Sequence, residues 1–351
     1  MSHQRQFASW YVFAVSILLA AHGTAPVLAD PLVGRDLLKF SQRPMDGTPV
    51  NDPNGTVQKY YGHDELSTAY GFPNPANIIP FYQGRYMADD FADNLSSSVV
   101  HVKWWGSYLN NVNNPNMPVN KFLISFEADV PAGPAPSFSH PGTPLLTQVV
   151  KKGPLSPGSG TFTEKLISPG GAPLNENLYE YNAELNLGAD FKEQKDTVYW
   201  IKIAALVDVP QGLDFPPNQP PTDVTRWGWH NRDYTLQNTL ASPVVVPGEN
   251  LQGPINGTPI WHFQDDAVTG LMRYNPNNNN LNQPVQTMTP TRYIDGVDGP
   301  AGLVAGALGI GAFSKDLAFE LYTVVPEPGT CLLTVVALAG VLPLRRRSRS
   351  I

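Results

Sequence analysis

The sequence predicts an all-β protein: an antiparallel, jelly-roll-like β-sandwich with long loops, preceded by a signal peptide and followed by a single hydrophobic helix. The chain of 351 residues contains 35 prolines, about twice the usual share, and proline disfavours long helices. Short segments with the two-residue periodicity of strands recur along the chain, and clusters of turn-forming residues separate them. Together these observations exclude an all-helical protein.

Charge and cysteine content exclude two further classes. The net charge is -7, which is the wrong sign for a protein that follows nucleic-acid backbones, so we expect no nucleic-acid partner. Cys331 is the single cysteine. The chain therefore has neither an intramolecular disulfide nor a cysteine-based zinc site.

Residues 1–29 have the pattern of a secretory signal peptide. Arg5 precedes an apolar run from Phe7 to Ala21, and the small residues of Ala25–Ala29 follow. The run is short for a membrane span, and small residues give signal peptidase access to the backbone. We expect cleavage after Ala29 and export; a retained N-terminal anchor is the alternative.

Residues 30–85 form a loop-rich lead-in. Turn formers recur at Asp46-Gly47, in Asn51–Gly55 and in Pro73–Pro75. This composition predicts an extended segment that wraps around the main domain.

Residues 86–324 form the predicted β-sandwich domain. Within it, Phe122, Ile124 and Phe126 lie at every second position and therefore fall on one face, as a half-buried strand requires. We predict eight strands, at Val99–Trp105, Phe122–Glu127, Leu145–Val150, Thr161–Ile167, Tyr179–Leu185, Thr197–Ala205, Arg226–Trp229 and Leu317–Thr323. Many short strands with irregular connections are typical of sandwiches.

Residues 325–351 contain three elements in a fixed order. Pro326, Glu327 and Pro328 precede an apolar run from Cys331 to Leu344, and an arginine cluster follows at Arg345, Arg346 and Arg347. This order resembles the PEP-CTERM sorting signal of bacteria that carry an exosortase. The arginines stay on the cytoplasmic side and stop transfer, while the apolar run is shorter than the ~20 residues of a stable span. We expect a transient membrane anchor that exosortase processes at Pro-Glu-Pro; a plain C-terminal anchor is the alternative.

The two end segments are basic, so the exported body is more acidic than the whole chain. Five of the 23 basic residues are removed with these segments, whereas all 30 acidic residues remain if the cut falls after Glu327. The body therefore carries 18 basic against 30 acidic residues, a net charge of -12. Such a surface resists self-association, and divalent cations can bridge it to acidic extracellular polysaccharide.

The body also resembles an uncharacterised family of secreted bacterial β-domains, over roughly residues 86–323. The stretches that carry this resemblance are Met87–Phe91, Val102–Leu109, Ile124–Phe126 with Asp129–Pro131, Tyr199–Ile201, Trp227–Trp229, Trp261–Ala267 and Asp316–Phe319. The resemblance implies a sandwich architecture without an assigned activity.

One candidate metal site is visible in the sequence. Asp89, Asp90 and Asp93, with Asn94 beside them, place several oxygen ligands within six positions. Calcium prefers six to eight such oxygens, often from the loops of a sandwich. No EF-hand spacing is present, so turn-forming and capping aspartates are the alternative, and we expect no other cofactor.

A candidate glycan-binding site rests on tryptophans. Trp227 and Trp229 share a strand face, while Trp104 and Trp105 point to opposite faces. Trp105, Trp227 and Trp229 would together offer rings on which sugars stack; packing in the core is the alternative.

No catalytic motif accompanies these residues. The histidines of the exported body occur singly, and no serine lies in a G-x-S-x-G motif. We therefore expect a non-enzymatic, exosortase-sorted protein of the cell surface or extracellular matrix. A carbohydrate-binding module of that matrix is the first alternative, and a glycan hydrolase with two facing carboxylates is the second.

Overall fold

The computed structural model describes most of residues 35–324 and leaves out the two ends. The described ranges are 35–47, 49–52, 55–92, 95–131, 133–136, 138–170, 176–186, 191–195, 197–213, 224–232, 267–278, 291–292 and 316–324. The predicted signal peptide and sorting segment, with Pro326, Glu327, Pro328, Arg345, Arg346 and Arg347, lie outside these ranges. In the part that is described, no helix is long and apolar enough to cross a membrane.

The described residues are all-β, as predicted, and the only helical element among them is a 3₁₀ turn at Leu109–Asn111. The strands are β1 Asp36–Gln42, β2 Met45–Asp46, β3 Val50–Asp52, β4 Gly55–Val57, β5 Tyr60–Tyr61, β6 Asp64–Leu66, β7 Thr68–Gly71, β8 Tyr82–Phe91, β9 His101–Tyr108, β10 Val119–Val130, β11 His140–Lys152, β12 Thr161–Ser168, β13 Leu178–Glu184, β14 Tyr199–Asp208, β15 Trp227–His230, β16 Val268–Tyr274, β17 Thr291–Arg292 and β18 Phe319–Val324. All eight predicted strands are present, with ends shifted by a few residues.

Fourteen strands form one mixed sheet. Its order is β1-β18-β9-β13-β12-β11-β10-β14-β7-β8-β16-β17, and β15 joins β9 to β6. The pairs β11–β12 and β14–β7 are parallel. The sequence predicted an antiparallel arrangement, which holds for the other pairs of this sheet. Two small separate hairpins, β2–β5 and β3–β4, complete the described fold.

The sheet is bent, so strands that are far apart in its order face each other across one aromatic core. Three strands separate β9 from β10 in the sheet order, and with strands about 4.8 Å apart a flat sheet would hold them ~19 Å apart. Nevertheless the rings of Trp104 on β9 and Phe122 on β10 lie 5.1 Å apart. Phe122 also contacts the rings of Phe162, Tyr181 and Trp227, at 5.0, 5.1 and 4.8 Å.

The central strands have the predicted two faces. Phe122, Ile124 and Phe126 lie in the main core, whereas Leu123 belongs to a second apolar cluster on the opposite face. Trp200 on β14 lies in that second cluster as well. Both faces of the central strands are therefore covered.

The lead-in contains strands that the sequence did not predict. β1 pairs with β18, β7 pairs with β14, and β8 runs across the predicted boundary at residue 85. Gly84 permits the close approach of β7 to β8, because a Cβ at this position would lie 2.1 Å from the carbonyl oxygen of Thr68. The strands β1, β6 and β7 of this segment, and the start of β8, thus belong to the main sheet.

Candidate functional site

Charged side chains occupy the face of β9, β13 and β18 that is turned away from the aromatic core. Along β9, His101 and Lys103 alternate with the core residues Val102 and Trp104. On β13, Glu184 is paired with His101, and paired residues of an antiparallel sheet share a face. The period of two therefore collects polar groups from separate strands on one buried face.

The centre of this face is a cluster of Asp36, His101 and Glu184. Their ligand-type atoms all lie within 4.8 Å of one another. Nδ1 of His101 lies 2.9 Å from Oε1 of Glu184 and 3.9 Å from Oδ2 of Asp36. All three side chains have no exposed surface.

Both ring nitrogens of His101 face acceptors. Nε2 lies 3.1 Å from Oδ1 of Asn182, and the amide nitrogen of Asn182 donates to Glu180, which fixes the orientation of the amide. Nδ1 faces the carboxylate of Glu184. Each ring nitrogen therefore has an oxygen within hydrogen-bond distance.

Arg35 holds the two carboxylates of the cluster. Its Nη1 and Nη2 donate to the two oxygens of Glu184 at 3.0 and 2.5 Å, and its Nε donates to Asp36 at 2.5 Å. Burial alone raises the pKa of Glu184, but the hydrogen bonds from His101 and Arg35 outweigh it, so this pKa lies below its usual value. Burial alone lowers the pKa of Arg35, and its bonds to Asp36 and Glu184 outweigh that effect and raise it.

A second group of interacting side chains on the same face surrounds Glu320 on β18. Nε of Arg43 lies 2.9 Å and Nζ of Lys103 lies 3.8 Å from its carboxylate. The hydroxyl of Tyr322 donates to Glu320 as well. Burial, followed by the charge of Glu320, raises the pKa of this phenol.

The arrangement is a charge-compensated network. Two carboxylates and an imidazole are the donor set that a transition metal uses, but a metal needs a deprotonated imidazole nitrogen and unshared carboxylates. In this cluster Arg35 holds both Asp36 and Glu184, and both ring nitrogens of His101 lie within hydrogen-bond distance of side-chain oxygens. A glycosidase pair needs one carboxyl group of raised pKa, whereas the pKa of Glu184 is lowered. The guanidinium therefore supplies positive charge to the two carboxylates, as a metal ion bound by them would.

Two of the predicted calcium ligands, Asp89 and Asp90, do not converge. Asp89 and Asp90 are successive residues of β8, paired with Ile201 and Trp200, which lie on opposite faces of β14. Their side chains therefore point to opposite faces as well, which is the reason that the calcium prediction does not fit. The carboxylate of Asp89 accepts hydrogen bonds from the backbone N–H groups of Leu317 and Asp90, at 2.7 and 3.1 Å. Burial, followed by the charge of Asp316, raises the pKa of Asp89 well above its usual value. Asp93 lies outside the described residues.

The predicted glycan-binding tryptophans are buried, so they do not form a surface platform. Trp105, Trp227 and Trp229 are 3%, 0% and 0% exposed. Trp227 donates to the hydroxyl of Tyr181, and Trp229 donates to the carbonyl oxygen of Ala318. Trp105 lies in a small cluster with neighbours from adjoining strands. All three side chains therefore pack in the interior, which was the alternative to glycan binding.

Sequence reasoning did not find the Arg35–Asp36–His101–Glu184 cluster. Its members come from the start of β1, the start of β9 and the end of β13, which only the strand order brings together. The sequence contained one usable signal. His101 and Lys103 are polar residues two positions apart in an otherwise largely apolar strand, so they share one face.

Comparison with known proteins gives one match. A family model described as Domain of unknown function (DUF7901) matches residues 38–284, well over half of the chain. No curated protein and no solved structure matches the chain. The matched span includes His101 and Glu184 and begins two residues after Asp36.

Proposed function

The chain belongs to the family Domain of unknown function (DUF7901), and we propose that this member is an exported, exosortase-sorted protein of the cell surface or extracellular matrix. Its β-rich body is a non-catalytic structural domain. The body reaches the exterior through the signal peptide of residues 1–29, which signal peptidase removes.

The observation that carries this proposal is the order of elements in residues 325–351. Pro326, Glu327 and Pro328 are followed by an apolar run and then by the arginine cluster that begins at Arg345. The arginines favour the cytoplasmic side, the short apolar run favours a transient anchor, and the prolines keep the processing site extended. This order distinguishes a processed sorting signal from a plain anchor.

The described body supports a structural role. Arg35 donates hydrogen bonds to both Asp36 and Glu184, and the five described tryptophans are buried. The finer expectation of a jelly-roll-like sandwich belongs to the proposal too. It is supported by ring contacts between strands that are far apart in the sheet order, such as Phe91 on β8 with Phe319 on β18 at 6.3 Å.

The test compares the native protein in a host that has an exosortase and in its exosortase deletion, by cell fractionation and intact mass. We expect a chain that begins near Asp30 and ends near Pro-Glu-Pro, released from the membrane only where the exosortase is present. Glu327→Ala keeps the apolar run and the arginines but alters the processing site, so it should behave like the deletion. Asp46→Asn, at an exposed position of the body, is the matched control and should be processed normally.

An intact tail in both hosts would contradict the sorting proposal and leave an ordinary membrane-anchored protein. Hydrolysis of extracellular polysaccharide by the purified protein would contradict the non-catalytic role.

A further inference from the structure

A second buried ion pair lies on the face of β10 and β14 opposite the aromatic core. Nζ of Lys202 lies 2.6 Å from Oε1 of Glu127, and each side chain is 1% exposed. In the register of the two strands, Lys202 is opposite Ser125 and Glu127 is opposite Trp200. The two residues are therefore diagonal neighbours on one sheet face, and the strands hold them in contact.

The surroundings of this pair exclude water on several sides. The ring of Tyr86 lies 4.3 Å from Nζ of Lys202. Oγ of Ser125 donates to Oε1 of Glu127 and also contacts the hydroxyl of Thr147. Oε2 of Glu127 is buried and has no hydrogen-bond partner among the described residues.

Burial of this pair disfavours the charged form of Lys202. Burial lowers the pKa of Lys202, although the charge and the hydrogen bond of Glu127 oppose that shift. A buried ion pair loses much of its hydration, and only good geometry with further hydrogen bonds offsets the loss. Here one carboxylate oxygen lacks such a bond. Transfer of one proton from the ammonium to the carboxylate leaves an uncharged amine, which is a nucleophile, against an uncharged carboxylic acid.

We propose that Lys202 and Glu127 form an intramolecular amide cross-link, an isopeptide bond between β10 and β14. The amine nitrogen of Lys202 attacks Cδ of Glu127, and a C–N bond forms. The C–O bond to the carboxyl hydroxyl breaks, and this oxygen leaves as water with a proton from the nitrogen. One positive and one negative charge disappear from the interior, one water is released, and no oxidant or other reactant is required. The fixed strand geometry keeps the two groups in near-attack contact.

Two other Lys–Glu pairs show what distinguishes this one. Lys152 and Glu164 lie 2.7 Å apart, but the Lys152 side chain is 42% exposed, so water stabilises its charge. Lys39 and Glu193 lie 2.9 Å apart and are buried, but Glu193 lies outside the strands, so no strand register holds that pair in contact. Lys202 combines full burial with a carboxylate partner on the adjacent, paired strand.

The cross-link would give the body a covalent bond between strands, which the chain's single cysteine, Cys331, cannot provide as an intramolecular disulfide. It would join two strands at the centre of the sheet and close the chain between residues 127 and 202. The bond forms within the body, so the inference stands whether or not the proposed sorting is correct.

The test is intact mass of the denatured full-length protein, followed by peptide mapping. We expect a mass lower than that of the sequence by one water, after the ends of the chain have been identified by mapping. A branched peptide should join the segments that contain Glu127 and Lys202. Lys202→Arg keeps the charge but removes the amine, and this variant should show no loss of water. Lys152→Arg, at the exposed pair, is the matched control and should keep the loss.

The wild-type mass decides the question even if Lys202→Arg fails to fold. A wild-type chain with its full sequence mass overturns the proposal. Loss of water that persists in Lys202→Arg, or a branched peptide that contains Lys39 and Glu193, overturns the assignment to this pair.

Discussion

Replacement of Arg35 by alanine tests whether the guanidinium takes the place of a metal ion. The substitution removes the hydrogen bonds to Asp36 and Glu184 and leaves both carboxylates without their shared cation. Removal of one partner from a fully buried ion pair costs about 3–5 kcal/mol. Because the Arg35 side chain is 19% exposed, solvent screens part of the interaction, and we expect a loss of about 2–4 kcal/mol in the free energy of unfolding.

The same substitution creates a vacant donor set. Asp36, His101 and Glu184 would then offer two carboxylates and an imidazole within 4.8 Å, a set that suits Zn²⁺. Zinc at 100 times its dissociation constant would restore about 2.7 kcal/mol. We therefore expect zinc to stabilise Arg35→Ala and to have little effect on the wild type.

The assay is equilibrium unfolding in urea, with and without zinc, read as a shift of the midpoint at constant slope. Arg43→Ala is the matched control, because Arg43 is 62% exposed and contacts the single carboxylate of Glu320 in the same network; we expect it to cost less than about 1 kcal/mol. Equal costs for the two arginines would refute the reasoning about burial. Equal stabilisation of the wild type by zinc would refute the claim that Arg35 is the resident cation.

Three further predictions concern the core and the network. Phe122→Ala removes the ring that contacts four other aromatic rings and should cost about 3–5 kcal/mol, whereas Leu166→Ala, at a 47% exposed position, should cost about 0.5 kcal/mol; similar thermal midpoints for the two would contradict the hub role. The pKa of Glu184 is lowered from 4.5, so its contribution to stability is complete above that pH and is lost as the pH falls through the lower folded value. Urea midpoints at neutral and acid pH should show this acid loss in the wild type and a smaller one in Glu184→Gln; equal losses would count against the ion pair. Gly106→Ala would place a Cβ 2.3 Å from the carbonyl oxygen of Gly228 and should cost about 3 kcal/mol or more, so a wild-type denaturation curve would contradict the close β9–β15 approach.

The fold was predictable from sequence where strands are long and alternate. Phe122, Ile124 and Phe126 identify β10 and its core face without any tertiary information, because a period of two is a local property. The lead-in gave no such signal, since β2 to β7 are two to four residues long. β16 contains Gly270, where a Cβ would lie 2.8 Å from the ring of Tyr86. A glycine required for close packing looks in sequence like a strand breaker.

The site was less predictable because its chemistry depends on strand order. Asp89 and Asp90 are adjacent in sequence and suggested a metal site, but adjacency in a strand sends side chains to opposite faces. His101 and Glu184 are 83 positions apart and meet because β9 and β13 pair. A sequence motif is recognised from residues that are close together in the sequence. A site on a sheet combines residues of paired strands, which can be far apart in the sequence.

The position of the Arg35 cluster relates it to the proposed anchoring. β1 and β18 are adjacent antiparallel strands, and Asp36 is paired with Val324. The segment that contains Pro-Glu-Pro follows directly after β18, so a tether at this end would load the fold where Arg35 and Asp36 lie. Arg35 connects the start of β1 to Glu184 on β13, two strands beyond β18 in the sheet order. β18 is hydrogen-bonded to both β1 and β9, and the side chains of the cluster connect β1, β9 and β13 to one another. The cluster would then strengthen the strands next to the anchor, a role consistent with its burial and with its mutual charge compensation.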